Sequence, residues 1–323
     1  MSDESIEIID IDNTDDAEAT AATTESTDSS DISEEAQDKS LGGGDGGDKP
    51  GRKKPHWKDI VRYVIMAVCI CVFIVSGIKI IQILKVYRDA DKEHESIKNI
   101  GYVDPTTKDG ESESTSPSEE VPPYVVPFPT IKFDELEAIN SDIIGWLELP
   151  GVEISFPLLQ GEDNDYYLYH TFTKDDSFTG SIFIDYRNNA DLSDPHSFIY
   201  GHRISNGSVF YPLLEYDKES FYRDLEARNL NYVYIYTRTK VFVYKIFCVT
   251  DVTLQENPYA YTLATEENLS EYLEYIKSLE LYDTGDVPPE GAHILTLYTC
   301  QDPATVSKIR HLTHAYLVDV LDY

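Results

Sequence analysis

The chain has 323 residues and is strongly acidic: 59 aspartates and glutamates against 26 lysines and arginines give a formal net charge of −33. Residues 131–323 alone hold 32 acids and 13 bases, a balance of −19, so the acidity is not confined to one tail. Such a surface lacks the basic footprint that phosphate contacts require, and nucleic acid is excluded as an expected partner.

Residues 1–50 contain 16 acids and only two bases, Lys39 and Lys49, with almost no large apolar residue after Ile11. Such a segment cannot bury enough apolar surface to offset its ordering entropy, so residues 1–55 are expected to form a disordered acidic tail. Gly42-Gly43-Gly44 and Gly46-Gly47 mark a flexible linker within it. Arg52, Lys53, Lys54, Lys58 and Arg62 then lead into an apolar run from Ile60 to Leu84. A helix that crosses a bilayer core needs roughly 20 residues, and this run is long enough. A buried core helix would find no folded partner on its N-terminal side. A cleaved signal peptide would need a small-x-small site, which is missing. The best fit is a retained signal anchor over 56–85, single-pass, in a cell membrane. The basic cluster before it, diluted by Lys85 and Arg88 after it, places the N-terminus in the cytoplasm and the rest outside.

Residues 86–130 begin polar, with helical character over 85–99, and continue through a Ser- and Pro-rich stretch to Val121-Pro122-Pro123. That composition predicts a stalk. The folded domain is expected over 131–323. It opens with a short helix at 133–139. Strands are predicted at 143–149, 154–159, 181–186, 197–200, 232–237, 240–249, 293–299 and 315–320. One amphipathic helix, 266–282, carries Leu269, Leu273, Ile276 and Leu279 at helical spacing. It precedes the last strand pair, where it can wall one side of a groove. About eight strands separated by turn residues predict a mostly β domain, a barrel or a sandwich.

Four cysteines occur without paired spacing, so free thiols are expected and a disulfide scaffold is not. Cys69 and Cys71 fall in the apolar run. Cys248, flanked by Phe247 and Val249, reads as core. Cys300 differs. The run Thr296-Leu297-Tyr298-Thr299 delivers it to a strand end, and polar Gln301-Asp302-Pro303 follows at once. A lone cysteine is more often a small buried hydrophobe than a nucleophile, so the argument needs partners. Ser197 to Gly201 delivers His202 in the same way, with Gly207 shortly after, and that bracket suggests a tight loop aimed at a cleft. His170 and His196 read as loop residues. His311 and His314 stay open as rivals to His202. Arg310 lies ten residues beyond Cys300, on a run that can return beside the thiol. Thiol, imidazole and guanidinium at strand ends are the parts of a cysteine acyl-transfer site. The acids show no metal-ligand spacing, so neither a metal nor a cofactor is expected.

Tyr200-Gly201-His202, the TLxTC motif at Thr296 to Cys300, and Arg310 together resemble the signature of sortases. Ile139 to Leu147, Leu149-Pro150-Gly151, Pro157 to Gln160, Asp163 to Leu168 and Gly180 to Arg187 are similar to class B members in particular. So is the helix before the TLxTC strand. Departures are Arg203-Ile204 after His202, Tyr298 inside the motif, and the acidic N-terminal extension. The resemblance implies an eight-stranded sortase-type β-barrel with an N-terminal helix. It implies a cysteine transpeptidase of a Gram-positive surface that cleaves LPxTG- or NPxTx-like sorting motifs after Thr. The acyl group then goes to a peptidoglycan-precursor amine, or alternatively to a pilin lysine. Cys300 would be the nucleophile, His202 the acid and Arg310 the oxyanion partner, with Thr299, Gln301 and Asp302 in support. A cell-wall L,D-transpeptidase would carry Ser-His-Gly-Cys, which is absent. A stalked, non-catalytic wall-binding β-domain would not need the three residues together.

Overall fold

In the computed structural model, the described residues are 57–105, 122, 124, 127–253, 263–300 and 309–323. The chain divides into two compact units, Met1–Ile80 and Ile81–Tyr323. Within the first, the described residues belong to helix α1 (Trp57–Gly101), which continues into the second. From Ile60 onward α1 is long and apolar enough to cross a membrane, by length and composition. Its large apolar side chains, Phe73 and Ile81 among them, are exposed around its circumference.

The second unit is built on a closed barrel in the order β10-β8-β7-β3-β4-β5-β6-β9, with β9 pairing back to β10. The strands are β3 (Ile143–Leu149), β4 (Ile154–Gln160), β5 (Phe183–Ile184), β6 (His196–His202), β7 (Tyr232–Tyr236), β8 (Lys240–Thr253), β9 (Ile294–Cys300) and β10 (Ile309–Asp322). Pairing is antiparallel except at β4–β5 and β6–β9. Two short strands, β1 (Tyr102–Val103) and β2 (Thr130–Ile131), pair separately. Helices α2 (Phe133–Glu137), α3 (Glu219–Ala227) and α4 (Leu269–Ser278) complete the unit.

Strand alternation sets the core. Val233 and Ile235 of β7 point inward with Leu147, Ile199, Leu295 and Leu297. The other face of β7, Tyr232, Tyr234 and Tyr236, would be solvated in a simple barrel. Here Tyr124, Phe128 and Tyr323 lie on it, with ring centroids 5.6–6.3 Å away, which explains five consecutive buried residues. Helix α4 buries Leu269, Tyr272 and Ile276 against Phe247, Cys248 and Ile294. Cys248 is thus a core residue, and burial pushes its thiol up to about 12.

Three expectations need correction. The stalk does not begin at residue 86. Ile97 is buried, His94 stacks on Phe156 at 3.8 Å, and Tyr102 packs on Trp146 while donating to Glu148 at 2.7 Å. A few apolar residues spaced through a charged sequence were enough to dock this segment. Helix α3 and the 3-10 segment Tyr211–Asp217 were not foreseen. The last strand starts at Ile309 and not near 315, because Arg310, His311, Thr313 and His314 break its apolar pattern.

Candidate active site

Three neighbouring strands, β6, β9 and β10, position the candidate residues. In the parallel β6–β9 pair, His202 stands directly opposite Cys300. In the antiparallel β9–β10 pair, Leu312 stands opposite Tyr298. Strand β9 thus lies between the strand that ends in His202 and the strand that carries Arg310 as its second residue. Thr299, the residue before it, locks the junction: its hydroxyl donates to the His311 carbonyl at 2.9 Å and accepts from the His311 N–H at 3.0 Å. Gln301 and Asp302 lie outside the described residues.

His202 is the last residue of β6, not part of a loop, and it is 4% exposed. Its Nε2 lies 2.8 Å from the Leu168 carbonyl. A carbonyl only accepts, so Nε2 carries a proton. The backbone at Gly180 approaches that carbonyl closely. At Gly180 φ is +56°, and a Cβ there would lie 2.6 Å from the Leu168 carbonyl oxygen. Nothing in the sequence marked this carbonyl, because a backbone acceptor has no residue type to read. Arg310, expected as a surface charge unless recruited, is 5% exposed. Arginine is almost never that buried without a structural or chemical task.

Just after β5, a buried carboxylate meets β6 through Tyr200. Asp185 accepts from Arg187 Nη2 at 2.8 Å, Asn164 Nδ2 at 3.0 Å and Tyr200 Oη at 2.9 Å. Burial pushes its pKa up, but the bonds from Arg187 and Tyr200 outweigh that, and the net shift is downward.

The rival histidines have other occupations. His314 is fully buried, with Nδ1 2.9 Å from Thr296 Oγ1 and Nε2 3.2 Å from Thr250 Oγ1. Burial, with His196 and His311 nearby, holds its pKa well below the usual imidazole value. His196, read as a loop residue, instead begins β6 and is buried; desolvation pushes its pKa down to about 3. His170 stacks on Tyr166 at 3.9 Å and pairs with Asp176. His311 faces Asp217 and Asp251. Burial alone would lower its pKa, but these two acids raise it overall.

The sortase-domain family model matches residues 147–318. Sortase B of Listeria monocytogenes is 33% identical over 186 residues, covering 57% of this chain and 73% of that protein. Among solved structures, sortase B of Clostridium perfringens is 30% identical with a TM-score of 0.52, covering 58% of this chain and 100% of that one. Sortase B of Bacillus anthracis is 27% identical with a TM-score of 0.56, covering 73% of this chain and 99% of that one. An eight-stranded closed barrel, with a TLxTC strand set between a histidine strand and an arginine strand, accords with these matches. This chain belongs to the sortase family, in class B, and is a transpeptidase enzyme.

Proposed function

We propose that Cys300, His202 and Arg310 carry the transpeptidation, and that the substrate is a C-terminal sorting motif of the LPxTG or NPxTx type in a secreted protein. The observation that supports this reading is the pairing of His202 opposite Cys300, with Arg310 near the start of the strand that flanks β9 on its other side. The Cys300 thiolate attacks the carbonyl carbon of the motif's Thr, forming a C–S bond. Arg310 donates hydrogen bonds to the oxyanion. His202, as imidazolium, gives its proton to the departing amine as the C–N bond breaks. An amine of the peptidoglycan precursor then attacks the thioester, the thiolate leaves as the C–S bond breaks, the amine's proton passes to the now neutral His202, and a new amide anchors the protein. Asp302 orients Arg310 or His202. Helix α1 anchors the enzyme in the cell membrane with its acidic tail in the cytoplasm.

The test is cleavage of quenched fluorogenic peptides of the LPxTG, NPxTx and SPxTG types by the full chain in detergent, wild type against Cys300→Ala. Cleavage after Thr that vanishes in the variant supports the reading and identifies the motif. Cleavage that persists in the variant rejects it. Adding a wall-precursor amine mimic and, separately, a lysine peptide tells which acceptor resolves the thioester.

A further inference from the structure

The fold assembles a cluster that the sequence hides. Asp217 ends the 3-10 segment after β6, Asp251 lies near the end of β8, and His311 is the third residue of β10. His311 and Asp251 stand opposite each other in the β8–β10 register. His311 Nδ1 lies 2.7 Å from Asp217 Oδ1 and 3.3 Å from Asp251 Oδ1, and one ligand atom from each residue lies within 4.8 Å of the others. Strand alternation puts His311 on the face opposite to Arg310, at the end of the barrel where β6 and β9 finish.

We propose that Asp217, Asp251 and His311 form a binding site for a divalent metal ion of the zinc class. Donor chemistry comes first: one imidazole nitrogen and two carboxylate oxygens suit a borderline cation, and three protein ligands leave a fourth position for water. Geometry agrees. Metal–nitrogen and metal–oxygen bonds of about 2.0–2.2 Å place tetrahedral ligand atoms about 3.3–3.5 Å apart. The Asp251 separation already matches. Asp217 must withdraw by roughly half an ångström by the same measure, and its side chain, 41% exposed, is free to turn.

The imidazole is also set for ligation. Its side chain is 1% exposed, and its Nε2 is held 3.3 Å from Thr313 Oγ1. That outer contact fixes the ring with Nδ1 toward the carboxylates, as outer partners do for metal-bound histidines. Charge gives an independent argument. A single Nδ1–H can serve one carboxylate, yet two converge on it. Among the described residues, neither acid forms an ion pair with a lysine or arginine. A dication would balance both carboxylates and tie together the segment after β6, the end of β8 and the start of β10, next to Arg310.

Untagged full chain, stripped with chelator and held in detergent, is titrated with Zn2+ by calorimetry near neutral pH. Saturable binding of one equivalent is expected. Asp217→Asn and Asp251→Asn each weaken it at least about tenfold, since losing a ligand costs no less than losing an outer partner, and the double variant does not bind. Co2+, as a spectroscopic substitute, gives visible ligand-field bands without a sulfur charge-transfer band. The proposal fails if Zn2+ binding is not saturable, if the double variant keeps it, or if a sulfur band appears that Cys300→Ala removes. Should an amide variant not fold, the wild-type Co2+ complex still decides: large paramagnetic shifts of the His311 ring protons support the site, and their absence overturns it.

Discussion

Strands β6, β9 and β10 carry buried imidazoles in two places, and the two differ in how their protons are held. At one, His202 stands opposite Cys300, with Arg310 near the start of β10. At the other, His196, Thr296 and His314 form a closed chain. Ala264 N–H donates to His196 Nδ1 at 3.1 Å, which puts the ring proton on Nε2, facing Thr296 Oγ1 at 2.9 Å. His314 Nδ1 lies 2.9 Å from Thr296 Oγ1, which Tyr272 Oη also reaches at 3.2 Å, and His314 Nε2 lies 3.2 Å from Thr250 Oγ1. Burial holds the pKa of both rings down, so both are neutral near pH 7. His202 instead has its Nε2 held by a backbone carbonyl at the end of its strand. A histidine on a strand is therefore diagnostic only through its neighbours: one pattern is a buried side-chain network, the other a single ring held by the main chain.

The sharpest separation comes from replacing each imidazole. His202→Gln should lower kcat/KM by about 10²–10⁴-fold, the usual worth of a positioned general acid, with Tm little changed. His196→Gln should do the reverse, lowering Tm while the folded fraction stays within a few-fold of wild-type activity. Thr296→Val comes next. It removes the hydroxyl on which two buried rings depend and should cost about 2–6 kcal/mol, at roughly 1–3 kcal/mol per unsatisfied group, read from urea unfolding.

Acid should expose the same difference. His196 and His314 have folded pKa values below their unfolded ones, so between about pH 6.5 and 3 the unfolded chain binds more protons. Stability should therefore fall as pH drops below about 6.5, by up to about 1.4 kcal/mol per pH unit for each ring. Thermal unfolding at successive pH values reads this slope, and His196→Gln should flatten it. A slope unchanged in that variant would assign the acid sensitivity elsewhere. The smallest effect is expected from Gly180→Ala, at about 1–3 kcal/mol for a strained φ. Because it displaces the carbonyl that fixes His202, kcat should drop while KM holds.

Much of the barrel was legible because buried strands alternate or run apolar: the predicted 143–149 strand coincides with β3, and β9 and β7 were found within a residue or two. Legibility failed where polar residues have tasks. The start of β10 was missed because Arg310, His311 and His314 broke the apolar pattern, although that stretch supplies the arginine of the candidate site. The places of Cys300, His202 and Arg310 at the ends of three neighbouring strands were readable from turn residues and from the family motif. Asp217, Asp251 and His311 were not, because three distant segments meet only in the fold. Nor was the Leu168 carbonyl. The docked segment 86–103 hid its few apolar contacts among charges.

The most direct test of the central claim is mass spectrometry of the full chain after brief exposure to a cleavable sorting peptide. The account predicts that Cys300 gains the mass of the peptide's acyl part, ending at Thr, and that the adduct is absent in Cys300→Ala and disappears when an amine acceptor is added. Turnover with no adduct on Cys300, continuing in Cys300→Ala, would contradict it.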